Sequence, residues 1–350
     1  MAVKYVGVKR IQGTASERTA TSLPIGSVAG WKEIGRTTLG SSADDITVSS
    51  LPDKRYYMVL TNILNSGYID GGWRFNGDTG SNYSGRRSYQ GNADTTIINQ
   101  TYAKEGAGDP CPNLWVSYIS NKSDKEKLAI SHQVMQNTAG AGNVPIRMEH
   151  YDKWSNTSDA INSITQHNGS AGSFATGSEV VVLGYDPTDT HTTNFWEELA
   201  DVTLGSSATT LGTGTFTAKK YLWFQTYVKS GNIDYRITFN GDSGSNYATR
   251  WSENGGTDAT STSAAFNYLS PQGASTPRFT NTFMINNSAN EKLGITHVAL
   301  QNTAGAGNAP ERDEVVHKWT NTSAQITSLT VHASINTLSA GTRIKVWGSD

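Results

Sequence analysis

The stretch D-Y-R-I-T-F-N-G-D-S-G-S-N-Y, residues 234–247, decides the fold. Its apolar residues Tyr235, Ile237 and Phe239 alternate with polar ones, which is the period of two that a half-buried β-strand imposes on its side chains. The Asn-Gly-Asp-Ser run that follows favours a tight turn, because Asn and Asp bond to nearby backbone groups and Gly allows a positive φ. The stretch therefore predicts a strand that ends in a turn.

Strand patterns of this kind fill the chain. The runs R-Y-Y-M-V-L-T-N-I-L, L-W-V-S-Y-I-S and S-E-V-V-V-L-G are examples, and turns rich in Gly, Asn, Asp and Ser separate them. Helical patterns of about ten residues or more are nearly absent. About eight such strands in each half predict an all-β protein of jelly-roll-like β-sandwiches, although an eight-stranded sandwich of another topology fits the same pattern.

The chain is internally duplicated. F-N-G-D-T-G-S-N-Y at 75–83 returns as F-N-G-D-S-G-S-N-Y at 239–247, and Q-N-T-A-G-A-G-N at 136–143 recurs unchanged at 301–308. The repeating unit is too long for a solenoid repeat and has the size of an independent domain. The sequence therefore predicts two copies of one domain.

The two domains are predicted at 27–186 and 187–350. Residues 1–26 have no counterpart in the second half, and their Gly, Ser, Thr and Pro content is typical of an extended N-terminal arm. The connector at 186–194 is short, so the domains are expected to lie close together.

Composition limits the function. The chain has 350 residues, a net charge of −2 and only 17% charged residues, which predicts a neutral, polar surface. It has no basic cluster that would neutralise a phosphate backbone or an anionic membrane, so neither nucleic acid nor membrane is expected as a partner. Cys111 is the single cysteine, which excludes an intrachain disulfide and a cysteine-based metal site.

The first residues contain no apolar run of about 7–15 residues, so no secretory signal is predicted. A polar, charge-poor surface is nevertheless common on exposed assemblies. A particle that is assembled in the cytoplasm and released by lysis reconciles these two expectations.

Asp-Thr-Gly-Ser at Asp78 and Asp-Ser-Gly-Ser at Asp242 raise the hypothesis of a two-lobed aspartic protease, in which two carboxylates share a proton. Against it, both aspartates follow Phe-Asn-Gly, which is a turn signature. The G-D-S-G run around Ser243 resembles a serine protease motif, but Thr79 replaces this serine in the first copy. We predict no catalytic residue and no cofactor.

A turn is the preferred interpretation of both motifs, with ligand binding as the alternative. The oxygen-bearing side chains alternate as they do in calcium loops, although one carboxylate per loop is a weak ligand set. The candidate ligand residues are Asn76, Asp78 and Asn82, and in the second copy Asn240, Asp242 and Asn246. The tryptophans that do not recur between the copies could contact a glycan, with Trp73 and Trp251 as the candidates.

The repeated motifs T-L-G-S-S-A, R-F-N-G-D-T-G-S-N-Y, N-x-S-x-x-E-K-L and Q-N-T-A-G-A-G-N also carry a family resemblance. Across essentially the whole chain they resemble β-rich proteins of tailed viruses of marine microbes, in which such units occur singly or in tandem. The segment K-Y-V-G-V-K-R-I-Q-G-T is similar to N-terminal segments that anchor exposed domains to such particles.

The resemblance implies a non-enzymatic virion structural protein, most simply a capsid decoration or head-fibre protein. It implies other virion proteins as partners, and symmetry favours a homo-oligomer. The alternative is a carbohydrate-binding adhesin of a tail or surface fibre that recognises a host glycan.

Overall fold

A computed structural model of the protein describes residues 30–65, 67–108, 110–186, 189, 194–229, 233–274 and 276–350. The predicted arm at 1–26 lies outside the described residues. Within them the chain forms strands, turns and irregular segments, and it contains no helix.

The described residues of the first domain form twelve strands. They are β1 (Lys32–Thr38), β2 (Asp45–Val48), β3 (Tyr56–Ile63), β4 (Ile69–Phe75), β5 (Tyr83–Tyr89), β6 (Thr95–Gln100), β7 (Ala103–Gly108), β8 (Asn113–Ser120), β9 (Lys127–Met135), β10 (Ile146–Trp154), β11 (Ile164–Asn168) and β12 (Glu179–Tyr185).

The second domain repeats them in the same order. Its strands are β13 (Glu197–Thr203), β14 (Thr210–Gly212), β15 (Tyr221–Val228), β16 (Ile233–Phe239), β17 (Tyr247–Glu253), β18 (Ala259–Ala264), β19 (Asn267–Ala274), β20 (Arg278–Ile285), β21 (Lys292–Leu300), β22 (Glu311–Trp319), β23 (Leu329–Ala333) and β24 (Arg343–Ser349).

Each domain is a sandwich of an eight-stranded and a four-stranded antiparallel sheet. In domain 1 the orders are β1-β12-β3-β8-β9-β10-β5-β6 and β2-β11-β4-β7, and domain 2 has the equivalent orders. Without β5, β6, β9 and β10, the remaining eight strands form the sheets β1-β12-β3-β8 and β2-β11-β4-β7, which is the order of a jelly roll. The predicted fold class is therefore confirmed.

The expected strand count was too low. The β5-β6 and β9-β10 pairs are additional hairpins, and both extend the same sheet beyond β8. The F-N-G-D turn leads from the four-stranded sheet at β4 into the extension at β5, so the quoted motif marks the point where the chain changes sheet.

The core of each domain lies between its two sheets. In domain 1, Val59, Trp115 and Val182 of the large sheet pack with Trp73 and Ile164 of the small one, and all five are at most 1% exposed. Domain 2 has an equivalent cluster. This burial is the alternation that the sequence predicted, with one side of each strand facing the opposite sheet.

The outer face of the large sheet is also buried in part, because the two domains pack there face to face. The residues of this interface alternate with core residues along the same strands. They include Met58, Leu60, Leu114, Val116, Val134, Val181 and Leu183 from domain 1, and Tyr221, Phe283, Ile285, Leu293, Ile295, Val316 and Trp347 from domain 2. The expectation that the domains lie close together is confirmed.

Two histidines at equivalent positions of the copies meet near the middle of this interface. His132 Nδ1 lies 3.1 Å from His297 Nε2, and the ring centroids are 4.2 Å apart. Burial lowers the pKa of both rings below the ordinary value. The pair therefore packs as neutral rings that share one hydrogen bond.

The edges of the large sheets are irregular. A bulge interrupts β1 between Glu33 and Gly35, and another interrupts β13 at the equivalent position. At the opposite edge the pairing of β5 with β6 shifts between Tyr83 and Gly85, as does that of β17 with β18. Bulges bend an edge strand and disrupt its hydrogen-bonding ladder.

Asp152 and His317 occupy equivalent buried positions on β10 and β22. Burial raises the pKa of Asp152 to about 8 and lowers that of His317 to about 3. Because the pKa of Asp152 is raised in the folded state, its carboxyl stabilises the fold most at a pH below its unfolded pKa, near 4. This contribution is lost as the pH rises towards 8. Because the pKa of His317 is lowered in the folded state, its ring stabilises the fold most at a pH above its unfolded pKa, about 6.5. This contribution is lost as the pH falls towards 3.

We therefore expect Asp152→Asn and His317→Phe to change the pH dependence of stability in opposite directions. From pH 5 to pH 8, the melting temperature of Asp152→Asn should fall less, or rise more, than that of the wild type. From pH 7 to pH 4, the melting temperature of His317→Phe should fall less than that of the wild type. Calorimetric melting across this range measures both, and parallel pH profiles for wild type and variants would contradict the assignment.

Candidate functional site

The Asp78 carboxylate is held by three donors within the F-N-G-D-T-G-S-N-Y loop and its surroundings. Oδ1 accepts from the Gly80 N–H at 2.8 Å, and Oδ2 accepts from Asn82 Nδ2 at 2.9 Å and from the Trp154 indole N–H at 2.7 Å. Trp154 lies at the far end of β10, so this bond joins the turn to the eight-stranded sheet.

Tyr83 closes the same loop from its C-terminal side. Its hydroxyl accepts from the Phe75 N–H at 2.9 Å and donates to the Asp78 carbonyl at 3.3 Å. Its ring stacks on that of Trp154, with the planes 15° apart. Tyr83 therefore anchors the loop through both its hydroxyl and its ring.

Asn76 connects the turn to a second segment of the chain. Its φ is +53°, a left-handed conformation that Asn tolerates better than most residues. Its Oδ1 accepts from the Asn162 N–H at 2.8 Å, and its Nδ2 donates to the Ala160 carbonyl at 2.8 Å. Its amide group is therefore used to hold the chain between β10 and β11.

The second copy repeats this arrangement. The Asp242 carboxylate accepts from Gly244 N–H at 2.8 Å, Asn246 Nδ2 at 2.9 Å and Trp319 Nε1 at 2.7 Å. Asn240 has a φ of +53° and donates to a backbone carbonyl at 2.8 Å, as Asn76 does. The six candidate ligand residues thus form two separate and equivalent turns.

Partial burial alone would raise the pKa of Asp78 and Asp242. The hydrogen bonds to tryptophan, asparagine and glycine outweigh it and hold the pKa of each carboxyl below its ordinary value. A proton-sharing dyad needs one carboxyl with a raised pKa. Among the described residues no hydrogen bond joins Asp78 to Asp242, so the geometry gives the protease hypothesis no support.

The same bonds bear on calcium. The Asn76 amide oxygen and both Asp78 oxygens already accept N–H groups, and Ca²⁺ would have to displace these donors. In the part of the chain that the structure describes, no group of three or more His, Cys, Asp or Glu side chains is arranged to hold a metal ion.

We expect Asp78→Asn and Asp242→Asn to destabilise their own domains by similar amounts, about 1–3 kcal/mol each, because an indole donor then faces an amide instead of a carboxylate. Denaturant unfolding measures this. Asp124→Asn, which removes an exposed partner of Lys122, is the matched control and should change little. If Asp78→Asn left the free energy of unfolding unchanged, the hydrogen bonds of the Asp78 carboxylate would contribute no stability.

The prediction that Trp73 contacts a glycan is wrong. Trp73 is fully buried in the core of domain 1, with its ring edge-on to Trp115 at 6.1 Å. In the second copy Ile237 stands at the position of Trp73, and it is likewise fully buried in the core of its domain.

Trp251, by contrast, is half-buried at the surface of domain 2. Its ring lies 5.2 Å from that of Tyr268, which in turn lies 5.2 Å from Phe266. The Arg236 guanidinium lies 4.0 Å above the Phe266 ring. These four side chains form a partly exposed aromatic cluster, which is the kind of surface on which sugar rings stack.

A cleft of about 440 Å³ opens on domain 1, at residues that the sequence did not single out. Its walls include Tyr68, Arg87, Tyr89, Asn92 and Met135. Tyr68 and Tyr89 are 53% and 40% exposed. This volume is within the range of small-ligand sites. Both tyrosines lie outside the sequence motifs that recur in the two domains. An aromatic residue present in only one copy is the sequence signal that could have identified them.

No protein-family profile matches the chain, and no curated protein matches it in sequence. Among solved structures, the chain is similar over 92% of its length to domains LG4-5 of the mouse laminin alpha1 chain, covering 90% of that chain at 10% identity with a TM-score of 0.21. It is also similar to exo-inulinase from Aspergillus awamori, with 93% and 97% of the chains covered, 6% identity and a TM-score of 0.26. These TM-scores are too low to support an argument, so the fold assignment rests on strand order.

The described residues include no helix with the length and apolar character needed to cross a membrane.

Proposed function

We propose that the chain is a non-enzymatic structural protein of a virus particle, most simply a capsid decoration or head-fibre protein. In this proposal the arm at 1–26 docks on the particle and the two jelly-roll domains are exposed. The sequence resemblance to proteins of tailed viruses motivates it. The observation that carries it is that the polar motifs shared by the two domains hold turns together, as in Asp78 with Trp154 and Asp242 with Trp319.

Two further parts of the proposal follow from this role. The protein is assembled in the host cytoplasm and functions in the virion, with other particle proteins as its partners. Its lack of enzymatic activity is supported by the carboxylates of both D-[TS]-G-S motifs being fully engaged as hydrogen-bond acceptors.

The proposal predicts that the protein is a regular component of purified particles. Quantitative mass spectrometry should find it at a fixed ratio to the main shell protein, and immunogold labelling should place it on the outside. A chain that begins at residue 27 should fail to bind particles stripped of the protein, whereas the full chain rebinds. Absence of the protein from purified particles would overturn the proposal.

A second candidate is a carbohydrate-binding adhesin, which the cleft of domain 1 favours. Tyrosine rings with adjacent guanidinium and amide groups can stack on a sugar and bond to its hydroxyls. Tyr68, Tyr89, Arg87 and Asn92 supply these groups around one opening.

This candidate predicts binding on an array of host surface polysaccharides. Tyr89→Ala should remove the signal from the cleft, while Trp251→Ala reports separately on the aromatic cluster of domain 2. Tyr56→Ala is the control, because Tyr56 is equally exposed but lies outside the cleft. An array without signal for the wild type would exclude the candidate.

A further inference from the structure

The two domains of one chain are joined in part by a loop of domain 1, which rests on a face of domain 2. The loop is Q-N-T-A-G-A-G-N at 136–143. Lys318 Nζ donates to the Thr138 carbonyl at 2.7 Å, and Glu291 Oε1 accepts from the Gly140 N–H at 2.6 Å. Lys318 and Glu291 also form an ion pair at 3.3 Å, and their side chains are at most 4% exposed.

Three further residues of domain 2 take part in this contact. The Ser263 N–H donates to the Ala141 carbonyl at 2.7 Å, and Arg250 Nε donates to the Pro145 carbonyl at 2.8 Å. Asp258 pairs with the Arg147 guanidinium at 2.7 Å. We call the set Arg250, Asp258, Ser263, Glu291 and Lys318 the receiving face of domain 2.

Domain 1 has an equivalent receiving face, which is open with respect to the described residues of the chain. The equivalent residues are Arg86, Asp94, Asn99, Glu126 and Lys153. Lys153 pairs with Glu126 at 3.1 Å, as in the other copy, but these side chains are 46% and 41% exposed. Asn99 has a φ of +53° and its counterpart Ser263 one of +48°, so the backbone has the same shape in both.

The apolar floor of the two receiving faces shows the same contrast. In domain 2, Leu293 and Ile295 are covered by domain 1, and at most 3% of either is exposed. Their counterparts Leu128 and Ile130 are 57% and 44% exposed. Neighbouring aliphatic side chains left in water in this way mark an interaction surface.

The matching loop is also free. Q-N-T-A-G-A-G-N recurs at 301–308, where nearly every residue is exposed. It nevertheless keeps the conformation of the bound copy. Gly305 has a φ of +99° and Gly140 one of +91°, and Asn308 donates to the Ala304 carbonyl at 3.0 Å, the same distance as in the equivalent bond of the first loop. The second loop is therefore preorganised for binding without being bound.

We propose that the 301–308 loop of a second copy of this chain occupies the open receiving face of domain 1. Each chain presents one unused loop on domain 2 and one unused face on domain 1, and the contact between its own domains shows how they fit. Such an interface is head-to-tail, so repetition gives a closed ring or an open filament, depending on the angle between successive chains. The inference does not depend on the virion proposal.

Sequence differences between the two domains are consistent with a contact between chains. Tyr151 stands in domain 1 where domain 2 has the buried Val316, and Phe279 stands in domain 2 where domain 1 has the buried Leu114. Tyr151 and Phe279 are 47% and 44% exposed. Aromatic residues are enriched at protein interfaces, and these two lie on opposite sides of the proposed contact.

Light scattering coupled to size-exclusion chromatography, across a dilution series of the full chain, tests the proposal. The wild type should form a ring or filament of chains. Ile130→Glu, on the receiving face, and Ala306→Trp, on the free loop, should each elute as a monomer. Both side chains are exposed, so the melting temperatures should stay near that of the wild type.

Mixing the two variants makes the test specific for direction. Ile130→Glu retains a working loop and Ala306→Trp a working face, so the mixture should give a complex of one chain of each and nothing larger. Ile335→Glu, at an exposed site away from both surfaces, is the control and should assemble as the wild type does. The proposal would be overturned if the wild type stayed monomeric or if the mixture did. It would also be overturned if each single variant still assembled as the wild type does.

Discussion

The structure depends on burial of both faces of the large sheet. Strands β3, β8 and β12 are apolar on each side, so one side fills the jelly-roll core and the other needs a cover. The equivalent sheet of the other domain supplies that cover. A separated domain would expose Met58, Leu60, Val116 and their neighbours to water, at about 25 cal/mol for each Å² of apolar surface. The duplication therefore produces a single packed unit.

The same constraint explains where polar residues are used. Some of the hydrogen-bonding side chains hold the corners, where the chain passes from one sheet to the other. Asp78 bonds to Trp154 there, and Asp242 bonds to Trp319. Exposed surface remains on the hairpin extensions, which carry Tyr89 of the cleft, Trp251 of the aromatic cluster and the exposed receiving face of domain 1.

The fold followed from local signals, since alternation and turn residues predict strands and their ends. Asp78 was also foreseen as a turn acceptor, because its partners Gly80 and Asn82 are close in sequence. Its bond to Trp154 joins positions far apart in the chain, and no local pattern encodes it. The burial of Trp73 escaped prediction for a related reason: a lone aromatic on a strand does not show which layer covers it. The continuous run E-V-V-V-L-G at 179–184 was used only to predict a strand, although an unbroken apolar run is also typical of a strand buried on both faces.

The bulged edges of the large sheets affect how copies of the chain can associate. A regular edge strand offers its unpaired N–H and C=O groups to any similar strand, and growth of this kind has no natural stopping point. The bulges in β1 and β13 break the regular spacing that such strand addition needs. Copies of the chain at high local concentration are therefore not expected to merge into a continuous cross-β sheet through these two edges.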